Sequence, residues 1–466
     1  MRLSVILLLL MFATQARSNT DLDTIIGLGL PVVEISTQNG EEPWCETVES
    51  PEGCMGQGIT NANKVKGRLR ILDGKRTLYD SGDYSKGTGG MVIKVRGNSS
   101  AWSWKKPYKI RLQSAADLLT RGDVSKYADK EWLLIKDEKV SLNTVIGLKV
   151  NELIGMPWTP AYKIVNVLMN GDYRGIYLLI ESVKRNSRCR LDVSKNGYIF
   201  EYDPYWWNEE VYFDTPYTSA PDAKSAKFTF KYPTDDDITP ERISYLQGFL
   251  ENLEVSLTDG SYRRYLDLDS FVSWLLAQDI LGNGDGHGSN IFLTKFDETS
   301  RSKVMMANLW DFDVIMATTD DWSQSHNIFY FGELWRNGDI TFANAYKGKW
   351  NVIKGKLVSE LSDFLEQFTA SSTGEAFNRS IPYDSERWGT EGKTLQELTN
   401  EAKNWFTGRE QWLNLNIGGG TFIKDIKSDG RPACLYTLGG RRLSNHQKGI
   451  SIIRRSDGTT RKEIVR

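Results

Sequence analysis

Cysteine and histidine are scarce in this chain, with four and three among 466 residues. That scarcity argues against a zinc centre and against a disulfide-stapled scaffold. Cys45 and Cys54 share a Pro/Gly/Glu-rich loop, where a local disulfide is expected in an oxidising compartment; Cys189 and Cys434 have no evident partner. An excess of one charge is also missing: 58 Lys and Arg stand against 60 Asp and Glu. No global field therefore recruits nucleic acid or a membrane surface. Long apolar runs are absent after the first residues. Met1-Arg2 followed by Leu3 to Ala13, then Ala16-Arg17-Ser18, has the charge, length and small residues of a signal peptide over residues 1–18. It predicts export, a mature chain starting near Asn19 and, with no later run of about 18 apolar residues, no membrane span after cleavage. Tryptophan is not lacking, at 15 residues, and core packing is its first use.

Periodicity divides the chain. Ile26 to Ile35 reads as extended chain. Strands are predicted at Val65–Ile71, Met91–Val95, Pro107–Leu112, Tyr162–Met169 and Gly175–Ile180, with Asn170-Gly171 as a hairpin turn. Asn143–Ile154 carries helical spacing that Gly155 and Pro157 end. Farther on, helices are predicted over Pro240–Leu257, from an Asp269 or Ser270 cap to Ile280, and over Leu357–Phe368 and Leu395–Phe406. Short strands at Ile291–Thr294 and Val304–Met306 complete an α+β order, β-rich first and helical second. Residues 204–240, with Trp206, Trp207 and Asp235-Asp236-Asp237, read as a polar surface excursion. Gly418-Gly419-Gly420 marks a boundary before a basic tail, which holds eleven Lys and Arg against four Asp and Glu from Lys424 on.

Chemistry concentrates between a helix and a short strand, in Gly282-Asn283-Gly284-Asp285-Gly286-His287-Gly288-Ser289-Asn290. The glycines let a backbone turn tightly and approach a ligand. Asp285 and Asn290 stand five residues apart, the interval at which phosphoryl-transfer loops place a hydroxyl-orienting Asp and a metal-binding Asn. Asp311 then ends a strand and is followed by Phe312 and Asp313. Mg²⁺ takes one or two such carboxylates together with phosphate and water oxygens. A calcium loop is a poorer match, because Thr294 stands where a bidentate carboxylate is needed. No G-x-S-x-G elbow contains Ser289, and His287 reads as a loop-packing residue. Upstream, Arg96-Gly97-Asn98-Ser99-Ser100 and then Lys105-Lys106-Pro107-Tyr108-Lys109 form a small-residue turn leading into a basic strand. A nucleotide-covering hairpin requires both parts, amides toward phosphate and a lysine on its oxygens.

Those two segments, with Asn170 to Glu181, Tyr232-Pro233, Asp285 to Asn290 and Trp310-Asp311-Phe312-Asp313, resemble the CotH (spore coat protein H) kinase family in residues and in order. The resemblance spans roughly residues 27–415. It implies a two-lobed, atypical protein-kinase-like fold that uses ATP and Mg²⁺ to phosphorylate Ser or Thr of exported proteins. Under it, Asp285 is catalytic, and Asn290, Asp311 and Asp313 hold metal. Arg96, Ser99 and a lysine, either Lys106 or Lys109, meet the phosphates. Glu152 pairs with that lysine, and Glu181 closes the strand beside adenine. Departures are visible: no His-Arg precedes Asp285, Asp313 replaces a glycine, and the first loop is not G-x-G-x-x-G. The competing expectation is a non-catalytic cell-surface or adhesion protein that keeps this fold, or a calcium- or carbohydrate-binding module. Residues 421–466, with Tyr436 to Leu443 and Lys448 to Arg454, are similar to Bacteroidota type IX secretion sorting tails, which implies that secretion machinery as a partner.

Overall fold

The structure is a computed structural model. It describes residues 21–418 apart from Met55, residues 218–224, His287 and residues 337–338, and beyond them only backbone strands of the tail. The signal segment and the boundary glycines Gly419 and Gly420 lie outside the described residues.

The first part is β-rich. After α1 (Leu22–Gly27) come β1 (Val32–Thr37), the hairpin β2 (Glu46–Glu49) and β3 (Gln57–Thr60), β4 (Val65–Asp73), β5 (Arg76–Asp80), β6 (Met91–Val95) and β7 (Tyr108–Ala116). The short α2 (Val124–Tyr127), β8 (Asp129–Ile135), α3 (Asn143–Leu153), β9 (Tyr162–Met169) and β10 (Asp172–Glu181) follow. Because β1 pairs with both β9 and β4, the strands close into a ring of order β1-β9-β10-β8-β7-β6-β4, with β5 flanking β4. Every pairing in the ring is antiparallel except β1 with β9. Alternate residues point inward and fill it: Val33 and Ile35, Leu69 and Ile71, Ile93 and Val95, Ile110 and Leu112, Trp132 and Leu134, Val165 and Val167, Tyr177 and Leu179. Each large side chain so buried contributes about 1.5–3 kcal/mol. Outward residues such as Leu133, Ile164, Leu178 and Ile180 join the second core, shared with the helices.

That second part holds the sheet β12-β13-β11-β14-β15, built from β11 (Tyr198–Tyr202), β12 (Tyr212–Thr215), β13 (Ala226–Tyr232), β14 (Ile291–Lys295) and β15 (Val304–Met306). Around it lie α4 (Pro240–Asp259), α5 (Leu268–Leu281), α6 (Phe329–Arg336), α7 (Ile340–Ile353), α8 (Leu357–Thr369), α9 (Ser372–Trp388) and α10 (Leu395–Gly418). α5 is buried on every face from Ser270 to Leu281, which makes it the central helix. The tail strands β16 (Pro432–Thr437), β17 (Arg442–Leu443), β18 (Gly449–Arg455) and β19 (Thr460–Val465) form a sheet of their own.

Several expectations change. Residues 22–27 are helical, so extended chain begins only at Val32. The cap of α5 is Asp267, whose side chain accepts the Ser270 amide; Asp269 and Ser270 are already inside the helix. The 204–240 excursion is not all surface: Phe213, Phe228 and Phe230 from β12 and β13 are core residues. Cys45 and Cys54 are unbonded. Cys45 lies at the base of the β2–β3 hairpin against the barrel core, whereas Cys54 is on its turn. Four strand residues separate the two levels, about 13 Å, which is too far to bridge.

Candidate active site

A cavity of about 1000 Å³ opens between the outer face of the barrel and the second sheet. Strand alternation sets its roof. On β6, β7 and β8 the inward residues fill the barrel, so Lys94, Lys109 and Leu133 face the cavity, with Arg96 just past β6. Apolar lining comes from Leu133, Ile135, Leu148, Ile180 and Phe292, beside Ser182 and Val183 where β10 leaves the barrel. The floor carries Glu201 and Asp203 at the end of β11 and Asn290 at the start of β14.

The β14–β15 hairpin brings the two halves of the sequence motif together. Asn290 precedes β14 and Asp311 lies shortly after β15, and Asn290 Nδ2 donates to Asp311 Oδ2 at 3.2 Å. Both have positive φ, 62° and 63°. The left-handed region is costly for residues with a side chain, and such strain concentrates at working sites. Asp285 lines the same cavity, and its amide donates to Asn283 Oδ1 at 3.0 Å, an Asx turn that orients the loop. The electrostatics invite a cation. Burial, then the Asp285 carboxylate, push Asp311 above the ordinary value, against the pull of Arg96 and Asn290. Asp313 is pushed up to about 7 by burial, Asp311 and Asp137. A divalent cation would relieve that repulsion. Among the described residues no three His, Cys, Asp or Glu side chains form a ready metal cage. The donors on hand, two carboxylates and an amide, suit a magnesium ion that takes its other oxygens from phosphate and water.

Arg96, Ser99, Lys109, Asp285, Asn290, Asp311 and Asp313 all line this cavity. Three expected residues do not. Lys106 sits before β7 and donates to the Ala101 carbonyl at 2.6 Å. Its neighbour Lys105 is buried against Asp384 of α9, also at 2.6 Å. Glu152 is exposed on α3 and pairs with Lys149 at 3.0 Å, so it cannot hold a cavity lysine. Lys109 pairs instead with Glu131 of the neighbouring β8, at 3.1 Å. Glu181 is 1% exposed and its carboxylate is taken up by Arg121, at 3.0 Å, and by the Ala161 amide, at 3.1 Å; only its neighbours face the cavity. His287 lies outside the described residues.

α3 couples to the site through packing. A Cβ on Gly147 would lie 2.0 Å from the Phe312 ring, so the absence of a side chain admits that ring to the helix. Asn143 Nδ2 donates to the Asp313 carbonyl at 3.2 Å, and Asn151 Oδ1 accepts the Leu309 amide at 2.7 Å. Two glycines of the 282–290 loop are likewise explained by protein: a Cβ on Gly282 would meet the Thr318 carbonyl, and one on Gly286 the Ser325 hydroxyl, both at 2.5 Å. Several cavity residues had no sequence signal. Lys94 is a strand lysine whose pKa is lowered by burial and by Lys109 and Lys64. Glu201 is paired with Lys231 at 2.9 Å and pushed up to about 7, by burial first. Glu201 and Lys231 meet across β11 and β13, some thirty residues apart in sequence, and period-2 alternation at β6 was the one available hint for Lys94.

A β-rich part over a helical part, with two acidic residues and an asparagine at the cleft between them, is the organisation of a kinase-like protein. The chain belongs to the CotH kinase family: the model described as CotH kinase protein matches residues 93–413. No curated relative matches its sequence. Among solved structures, a chain of the Shewanella oneidensis MR-1 toxin–antitoxin complex of HipA, HipB and operator DNA aligns at 12% identity and a TM-score of 0.29, covering 84% of this chain and 74% of that one. So loose a likeness supports no further conclusion.

Proposed function

We propose that this chain is an exported kinase that transfers the γ-phosphate of ATP to Ser or Thr hydroxyls of proteins outside the cytoplasm. The observation that carries the reading is the Asn290–Asp311 contact, with Asp285 in the same cavity beneath a basic barrel face. The apolar lining of Leu133, Ile135, Leu148, Ile180 and Phe292 suits a flat base. Arg96, Lys94 and Lys109 offer charge to phosphate oxygens, and Ser99 a hydroxyl. Asp311 and Asn290, with Asp313 nearby, would hold Mg²⁺, which when bound neutralises charge on the phosphates. Asp285 orients the acceptor hydroxyl and takes its proton. Catalysis of this kind needs positioning and charge more than covalent chemistry. Export rests on residues 1–18, and delivery by a type IX route on the basic tail.

The test compares Asp285→Ala with Asp311→Ala in calorimetric titrations of ATP with and without Mg²⁺, alongside labelled phosphoryl transfer. Asp285→Ala is expected to abolish transfer and spare nucleotide binding. Asp311→Ala is expected to weaken Mg·ATP itself, with Asn290→Ala in between. A wild-type chain that binds no nucleotide would leave a non-catalytic surface protein as the better reading.

A further inference from the structure

Asp279 lies on α5, three residues before Gly282, with no exposed surface. Its Oδ1 accepts the Ser323 amide at 2.8 Å, and its Oδ2 accepts the Tyr346 hydroxyl at 2.5 Å and lies 2.6 Å from His326 Nε2. Its carbonyl accepts Arg409 Nε at 2.6 Å. Arg409, from α10, also donates to the Thr319 and Asp321 carbonyls at 3.0 and 2.7 Å. Burial alone would raise the Asp279 pKa; the His326 ring, the Tyr346 hydroxyl and Arg409 hold it below the ordinary value.

Everything this carboxylate grips belongs either to the segment that follows Asp311 or to helices behind it. That segment is in turn fastened along the 282–290 loop. Gly284 N donates to the Val314 carbonyl at 2.9 Å, Ala317 N to the Gly282 carbonyl at 3.0 Å, and Ser325 Oγ to the Gly286 carbonyl at 2.5 Å. The loop carrying Asp285 and the segment carrying Asp311 are therefore two walls of one clamp, and Asp279 is its buried pin. None of this network touches the cavity.

We propose that Asp279 is a positioning residue for phosphoryl transfer, holding the loop of Asp285 and Asn290 in register with the segment after Asp311 through Ser323, His326 and Arg409. The inference rests on the kinase reading above. Displacing a positioned group by about 1 Å costs on the order of a hundredfold in rate.

The experiment uses the full chain and the variants Asp279→Asn, Ser325→Ala, His326→Ala and His326→Gln. It measures kcat and KM for ATP and acceptor, the Kd for Mg·ATP, and Tm. Asp279→Asn is expected to lower kcat about a hundredfold and to weaken Mg·ATP binding by a smaller factor, because Asn290 and Asp311 lose register together with Asp285. Ser325→Ala, which frees only the Gly286 carbonyl, is expected to lower kcat about tenfold. His326→Gln, which keeps a nitrogen donor, is expected to recover most of the rate that His326→Ala loses. Should Asp279→Asn fail to fold, the Ser325 and His326 variants decide the matter. If the folded variants lose only Tm and keep wild-type kcat, the role is merely structural and the inference is overturned. A wild-type chain that transfers no phosphate overturns the kinase reading first.

Discussion

Lys106 and Lys109 stand three residues apart, yet only one can serve a ligand in the cavity. Lys109 is on β7, where Tyr108 and Ile110 point into the barrel and the lysine between them points out. Lys106 lies ahead of the strand and is spent on the Ala101 carbonyl. Lys94, opposite Lys109 in the β6–β7 register, adds a second ammonium to the same face. Lys94→Ala and Lys109→Ala are each expected to weaken Mg·ATP binding about tenfold or more, about 1.4 kcal/mol. Lys106→Ala and Glu152→Ala are expected to leave it within about twofold, by calorimetric titration. Equal losses at Lys106 and Lys109 would mean that the cavity is not the nucleotide site. Glu181 belongs to another category: removing its charge takes one buried carboxylate from Arg121 and Arg190, which keep Asp117 and Asp129, so a substitution there should lower Tm before it touches affinity.

At the scale of elements, α3 occupies the place where an ion pair between helix and strand was expected, and does its work by contact. Phe312 seats against Gly147, and Asn143 and Asn151 bond the chain on either side of Asp311. Gly147→Ala would drive a methyl into the Phe312 ring, and overpacking of that kind costs about 1–3 kcal/mol. The expected outcome is a lower Tm together with a weaker Mg²⁺ dependence of ATP binding, because Asp311 is the residue before the displaced ring. A variant with wild-type Mg·ATP affinity would show that Asp311 is held independently of α3. Of the glycines of the 282–290 loop, read from sequence as freedom to approach a ligand, Gly282 and Gly286 are required by the Thr318 and Ser325 atoms packed behind them, whereas a Cβ on Gly288, which lines the cavity, would meet nothing within 4 Å.

For the whole molecule, one buried acid away from the cavity sets a pH dependence. Glu254 of α4 accepts the Thr215 and Tyr330 hydroxyls at 2.5 and 2.9 Å, and burial pushes its pKa up to about 7 from 4.5. The folded state therefore holds this proton more tightly than the unfolded chain. The stability it lends is fully present below about pH 4.5 and is lost as pH rises through about 7. Glu254→Gln keeps an acceptor for both hydroxyls without the titration. It is expected to raise Tm at pH 8 relative to wild type and to flatten Tm between pH 5 and 8, with phosphoryl transfer unchanged. Parallel pH profiles for the two proteins in thermal melts would refute the assignment.

What the sequence by itself determined was local. Short apolar runs bounded by turn residues placed β6, β9 and β15 within their bounds, Asn170-Gly171 supplied the two positive-φ residues of the β9–β10 turn, and helical spacing located α3 and α8. The order Asp285, Asn290, Asp311 was also legible, because the loop, the β14–β15 hairpin and the stretch just after it are contiguous. Tertiary structure decided everything that needed partners from afar. The ring closes only because Val32 pairs in parallel with Asn166, and no residue pattern announces which distant strand will lie alongside. The choice of Lys109 over Lys106, the exposure of Glu152, the burial of Glu181 and the grip of Asp279 on Ser323 and His326 all follow from that assembly. A side chain's chemistry is written in its residue type, but the face it presents and the charges it meets exist only once the chain has closed on itself.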